Sequence, residues 1–134
     1  MKSGDYLLAT EDLDQRFTAG VSRKDIEQVM RCFWNSPDLV MVVHDGTVFQ
    51  GFDGVRSAFE QMFSECETLS LAIDEVRHMP YGDSVFAVGT ATYEMKTTEG
   101  VSETITERWT DVRRKADGRW VYVMDHAHAV APDL

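Results

Sequence analysis

A chain of 134 residues with 43% hydrophobic content is long enough to bury one core without disulfide staples, so one domain over residues 1–134 is expected. Thirteen basic against 23 acidic residues leave a formal net charge of -10, which repels phosphate backbones and anionic lipid heads; neither nucleic acid nor a membrane surface is an expected partner. No apolar run approaches membrane-spanning length, and the opening MKSGDYLLATEDLD holds too short an apolar patch for a signal peptide. Cys32 and Cys66 form no CxxC pair, so a cytoplasmic protein with free thiols is expected.

In chain order, Tyr6, Ala9, Leu13 and Phe17 recur at helical spacing and Gly20 offers a stop, which predicts a first helix ending there. Ser22 with Asp25 resembles a capping box, and Ile26, Val29, Met30, Phe33 and Trp34 continue as the stripe of a second helix. Asn35-Ser36-Pro37 breaks it. Residues 39–43 and 47–50 read as two short strands around the polar turn His44-Asp45-Gly46. Asp53 is placed to cap a third helix with the stripe Val55, Phe59, Met62, Phe63 and Cys66. From residue 69 the period changes to two. Strands are predicted on either side of Pro80-Tyr81-Gly82-Asp83, then a long hairpin over 103–129 around Asp117-Gly118, whose residue types suit the positive backbone angles of a tight turn. This order predicts an α+β layout, with three N-terminal helices on one face of a strongly curved, mainly antiparallel sheet.

The pattern leaves a choice of faces on the hairpin. On its first strand Thr104, Thr106, Arg108 and Thr110 share one face, and Ile105, Glu107, Trp109 and Asp111 the other; on its second strand Tyr122, Met124, His126 and His128 share a face opposite Asp125. The polar row is read as facing the interior, where Arg108 would clamp an anion by its fork of donors; the alternative is an ion pair with Glu94, Glu103 or Glu107. Trp109 and Ile105 would then lie on the outer face and be covered by a second subunit.

The segments RKDIEQVMRCFW, LVMVVHDGTVFQGFDGVRSAFEQMF and TERWTDVRRKADGRWVYVMDHAHA resemble the nuclear transport factor 2-like superfamily and, within it, the SnoaL-like group. The resemblance implies a cone with a central cavity, one pocket per subunit of a homodimer, and a choice of chemistries that includes ketosteroid isomerisation, polyketide cyclisation and dehydration. At the position of the isomerase's oxygen-binding tyrosine stands Phe17, and no acid in 84–95 matches its second oxyanion donor, which disfavours steroid isomerisation. The isomerase's general base corresponds approximately to His44-Asp45. The hairpin resembles that of the kinase II association domain, which implies a pocket-facing arginine at Arg108, and His126 matches a histidine common in the last strand of the group.

The candidate catalytic residues are therefore His126, Asp45 and Arg108. Arg108, His44, Trp34, Phe59, Met62, Tyr93 and His128 are the candidate contacts to a small organic ligand. His126 and His128 supply only half of a usual metal shell, so neither metal nor cofactor is expected. The expected function is binding of a small molecule, with isomerisation, cyclisation or dehydration by acid–base chemistry if there is turnover. The alternative is a non-catalytic association or ligand-sensing module.

Overall fold

The computed structural model describes residues 3–130, with side chains from Tyr6 to Val130. Three helices, α1 (Ser3–Ser22), α2 (Ile26–Met30) and α3 (Gly51–Glu65), accompany six strands: β1 (Val40–Val42), β2 (Val48–Gln50), β3 (Cys66–Tyr81), β4 (Ser84–Thr97), β5 (Ser102–Ala116) and β6 (Arg119–Ala129). They form one sheet in the order β2-β1-β6-β5-β4-β3, antiparallel throughout except where β1 runs parallel to β6. This is the α+β layout expected, and among the described residues no helix is long and apolar enough to cross a membrane.

Local chemistry sets the element ends, sometimes differently from expectation. Asp117 and Gly118 adopt φ of 52° and 81°, the positive angles that close the β5–β6 hairpin. Ser22 is not a cap: its Oγ accepts from the Leu71 backbone N–H at 2.9 Å and so pins the end of α1 to β3. Asp25 caps α2 alone, accepting from the Gln28 N–H at 3.1 Å. Gln50 rather than Asp53 holds the N-cap position of α3, and Asp53 falls in the first turn, where an acid suits the helix dipole.

The second helix is shorter than its stripe implies. After Met30 the chain leaves the helix to pair with β6: the Tyr122 N–H donates to the Cys32 carbonyl at 2.8 Å, and the Trp34 N–H to the Tyr122 carbonyl at 2.9 Å. Phe33 and Trp34 therefore point to opposite sides. Phe33 is buried against Phe17, Phe59 and Tyr122, with ring centroids 5.3–5.8 Å away, whereas Trp34 stacks under the Arg114 guanidinium at 5.2 Å.

Two features of the sheet decide which residues face the helices. First, β5 buries the row Glu107, Trp109, Asp111 and Arg113 and exposes Thr106, Arg108 and Thr110, the reverse of the assignment made above. Second, in the β5–β6 ladder Val112 pairs with Met124 but Arg113 with Tyr122, so Val123 has no partner and forms a β-bulge. The extra residue flips the alternation. Tyr122 faces inward, and beyond the bulge it is Asp125 and Ala127 that share its side, while Met124, His126 and His128 turn outward. In the next strand Gly89 pairs with Trp109, and the indole lies on its bare backbone: a Cβ there would meet Trp109 Cζ2 at 2.6 Å and the Glu75 carbonyl oxygen at 2.2 Å. Gly89→Ala is accordingly expected to lose about 1–3 kcal/mol in urea unfolding, the usual cost of forcing a methyl into packed space; unchanged stability would mean that the indole is not held against this strand.

Candidate active-site cavity

Between the helices and the inner sheet face lies a cavity of about 510 Å³. Phe17 of α1, Phe59 and Met62 of α3, and Ile73, Tyr93, Ile105 and Trp109 of the sheet give it a largely apolar wall. Of the residues singled out from sequence, His44, Asp45, Phe59, Met62 and Tyr93 line this space. Arg108, His126, His128 and Trp34 do not. Arg108 and His126 stand exposed on the outer face, where Arg108 pairs across the ladder with His128 and Thr90. The physical reason is the pair of features above: apolar Trp109 and Ile105 take the buried side of β5, and the bulge carries the histidines to the other side of β6.

What the cavity contains instead is a set of carboxyl groups. At its base Arg113, wholly buried, donates from Nε and Nη2 to both oxygens of Asp111 at 2.9 and 2.8 Å, and from Nη1 to Asp14 of α1 at 2.9 Å. The Tyr122 hydroxyl donates to the other Asp14 oxygen at 2.6 Å, and its ring lies under the guanidinium at 5.1 Å. His78 Nε2, buried and without a hydrogen-bond partner among the described residues, is 3.9 Å from Asp14. Burial pushes the Asp14 carboxyl up, but His78, Arg113 and Tyr122 around it outweigh that and hold it below its ordinary value. For Asp111 burial wins over the guanidinium, and its pKa rises to about 6.

Asp125 is the odd member. It sits directly across the ladder from Asp111, and among the described residues its carboxyl has no side-chain hydrogen-bond partner. Burial, with the nearby charges of Asp111 and Glu107, pushes its pKa well above the ordinary carboxylate value against the weaker pull of Arg113. Tyr93 is raised for the same reasons: burial first, then Glu107 and Asp125. Nearer the β1–β2 turn, His44 Nε2 and Glu107 Oε2 are hydrogen-bonded at 2.5 Å. Asp45 is an exposed turn residue whose Oδ1 accepts from the Thr47 N–H at 2.9 Å, and the Thr47 side chain first, then this backbone bond, hold its pKa down. Among the described residues no three His, Cys, Asp or Glu side chains are grouped to hold a metal ion.

Sequence reasoning therefore missed Asp125, Glu107, Asp111, Asp14 and Arg113. For the β5 members the signal was present, since an acid–tryptophan–acid–arginine row at period two is what a buried charged wall looks like. For Asp125 it was not, because the bulge leaves no mark in the sequence.

Helices laid over a mixed sheet, with a cavity between them, define a small protein of the nuclear transport factor 2-like fold. The chain belongs to the SnoaL-like domain family, whose sequence profile matches residues 15–123. Solved structures of similar fold include a proposed aromatic ring hydroxylase from Novosphingobium aromaticivorans, with a TM-score of 0.88 at 20% identity over 98% of this chain and 94% of that one. A proposed dehydratase of the nuclear transport factor 2-like family from Streptomyces avermitilis gives 0.84 at 14% identity over 94% and 97%. A proposed calcium/calmodulin-dependent protein kinase II association domain from Xanthomonas campestris gives 0.76 at 20% identity over 99% and 91%. At such identities the likeness establishes the fold alone. No curated protein matches the chain in sequence.

A raised pKa in the folded state means that stability is fully present below the unfolded carboxyl value, near 4, and is lost as pH rises through the folded value. Asp125→Asn removes that loss. The variant is expected to match the parent near pH 4 and to melt several degrees higher at pH 7.5, about 1 kcal/mol corresponding to roughly 4 °C in a chain of this size. Identical melting curves at pH 7.5 would show that the Asp125 carboxyl is not strained in the native state.

Proposed function

We propose that this protein binds a small organic molecule in the cavity and acts on it by acid–base chemistry that needs no cofactor, of the isomerisation, dehydration or cyclisation type. The carrying observation is Asp125, a carboxyl with a raised pKa and, among the described residues, no side-chain partner, on the wall of a largely apolar cavity. A carboxyl whose pKa has moved toward neutrality gives up and takes back a proton at little cost, as a general acid or base must. His44, oriented by Glu107, supplies the complementary base from the same cavity, and Tyr93 is placed to hydrogen-bond a ligand oxygen. In this reading Arg108, His126 and His128 take no part in the chemistry.

Proton transfer at carbon can be followed without knowing the natural substrate. Ligands from a panel of cyclic ketones and alcohols that raise the melting temperature are incubated with the protein in D2O, and proton NMR reads deuterium uptake or loss of water. Asp125→Asn and Glu107→Gln are each expected to slow the reaction by about 10²–10⁴, the usual contribution of a general acid or base. Bound ligands that show neither exchange nor elimination in the parent protein would move the reading to a non-catalytic, ligand-sensing module.

The outer sheet face supports a cytoplasmic homodimer. Phe86 and Met79 pair across the β3–β4 ladder on this face and remain exposed, and both cysteines are free and buried. Phe86→Glu is expected to halve the mass measured by light scattering at micromolar concentration; an unchanged mass would place the contact elsewhere.

A further inference from the structure

The charges around the cavity do not balance. Seven carboxyl side chains line it against one imidazole, His44, and among the described residues no lysine or arginine lines it at all. Arg113, just behind the wall, is already shared between Asp111 and Asp14, and Glu107 is engaged by His44. Asp125 is left without a counter-charge. Beside it are two more polar side chains on the cavity wall. Tyr93 is 8% exposed and Trp109 6%, both line the cavity, and among the described residues neither the phenol hydroxyl nor the indole N–H has a hydrogen-bond partner. Across the ladder from Trp109 stands Ala127, small enough to leave the indole uncrowded on that side. An anionic ligand would meet repulsion here, and a neutral one would leave the imbalance in place. Buried carboxylates beside the faces of electron-rich rings form the environment in which an ammonium group is held.

We propose that the natural ligand is an organic cation, an ammonium-type group on an apolar ring system, with its charged end between Asp125, Glu107 and the rings of Tyr93 and Trp109. This rests on reading the cavity as a ligand site, and it adds the class of molecule. A cation bound beside Asp125 favours its carboxylate form, so any proton that the raised pKa keeps on the group leaves to solvent and the carboxylate can act as base. The groups that set this exchange are Asp111, Glu107 and Arg113 of β5, Tyr93 of β4, Asp14 of α1, Glu65 of α3 and His44 after β1.

Three probes of one shape separate the possibilities: naphthylmethylammonium, naphthalenemethanol and naphthoate. Titration calorimetry at pH 7 in two buffers of different ionisation enthalpy gives affinity and proton release together. The ammonium is expected to bind about tenfold or more tightly than the alcohol, with release of close to one proton, while the carboxylate does not bind. In Asp125→Asn the preference for ammonium over alcohol should fall to near one and proton release should vanish. Alcohol binding as tight as ammonium, or ammonium binding without proton release, would overturn the cation assignment and leave the ligand cavity standing. Failure of all three probes to bind would overturn both.

Discussion

A guanidinium with no exposed surface organises this molecule. Arg113 leaves water completely, and a charge so placed is tolerated only when its donors are met in good geometry. Five neighbours on three elements meet that demand: Asp111 and the Trp109 ring on the same strand, Asp14 and the Thr10 carbonyl on α1, and the Tyr122 ring on β6. Breaking such a set by removing one partner typically costs 3–5 kcal/mol, because the remaining charges stay buried and uncompensated. The helix is thus held to the sheet by direction as well as by apolar contact. Hydrophobic packing alone would let α1 slide along its axis; two hydrogen-bonded oxygens on Asp14 fix where it stops.

The same cluster creates the chemistry of the cavity. Arg113 has one positive charge and two carboxylate partners, so the base of the cavity already carries an excess of negative charge before Asp125 is added directly opposite Asp111. A fourth inner carboxyl, Glu107, lies further along β5. Electrostatics then gives each acid a different character from its surroundings. Asp14, wrapped by donors, is held below its ordinary value; Asp111, buried but paired, rises to about 6; Asp125, half-buried and without a side-chain partner among the described residues, is raised well above its ordinary value. Differences of this kind among like residues are how a single cavity can offer both an acid and a base.

The order of helices and strands could be read from periodicity, because α1, α3 and the four long strands have clear apolar spacing, and Asp117-Gly118 marks its turn by backbone preference alone. The short α2 could not: Ile26, Val29, Met30, Phe33 and Trp34 fit a helix by spacing, but pairing of residues 32–34 with Tyr122 overrides that preference from about 90 residues away. Facing on the hairpin was the costlier error. Arg108 among threonines looked like a pocket residue because Glu107, Asp111 and Arg113 made the other face look equally polar, whereas Arg113 pairs with Asp111 and Asp14, and Glu107 with His44. Val123 completed the inversion. One unpaired residue transfers Asp125 to the interior and the two histidines to the exterior, and no residue preference announces it.

The Asp14–Arg113 contact also governs the order in which this chain can become native. Its two residues are 99 positions apart, and the parallel β1–β6 pairing spans a similar distance, so neither can close until most of the polypeptide has been made. Before then α1 can already meet α2 and β3, to which Ser22 ties it through the Leu71 N–H, and the β3–β4 hairpin, being local, can assemble early. Local pairing is thus favoured first, and the contacts of α1 and β1 with β5 and β6 close late. The cavity is the last part of the molecule to exist.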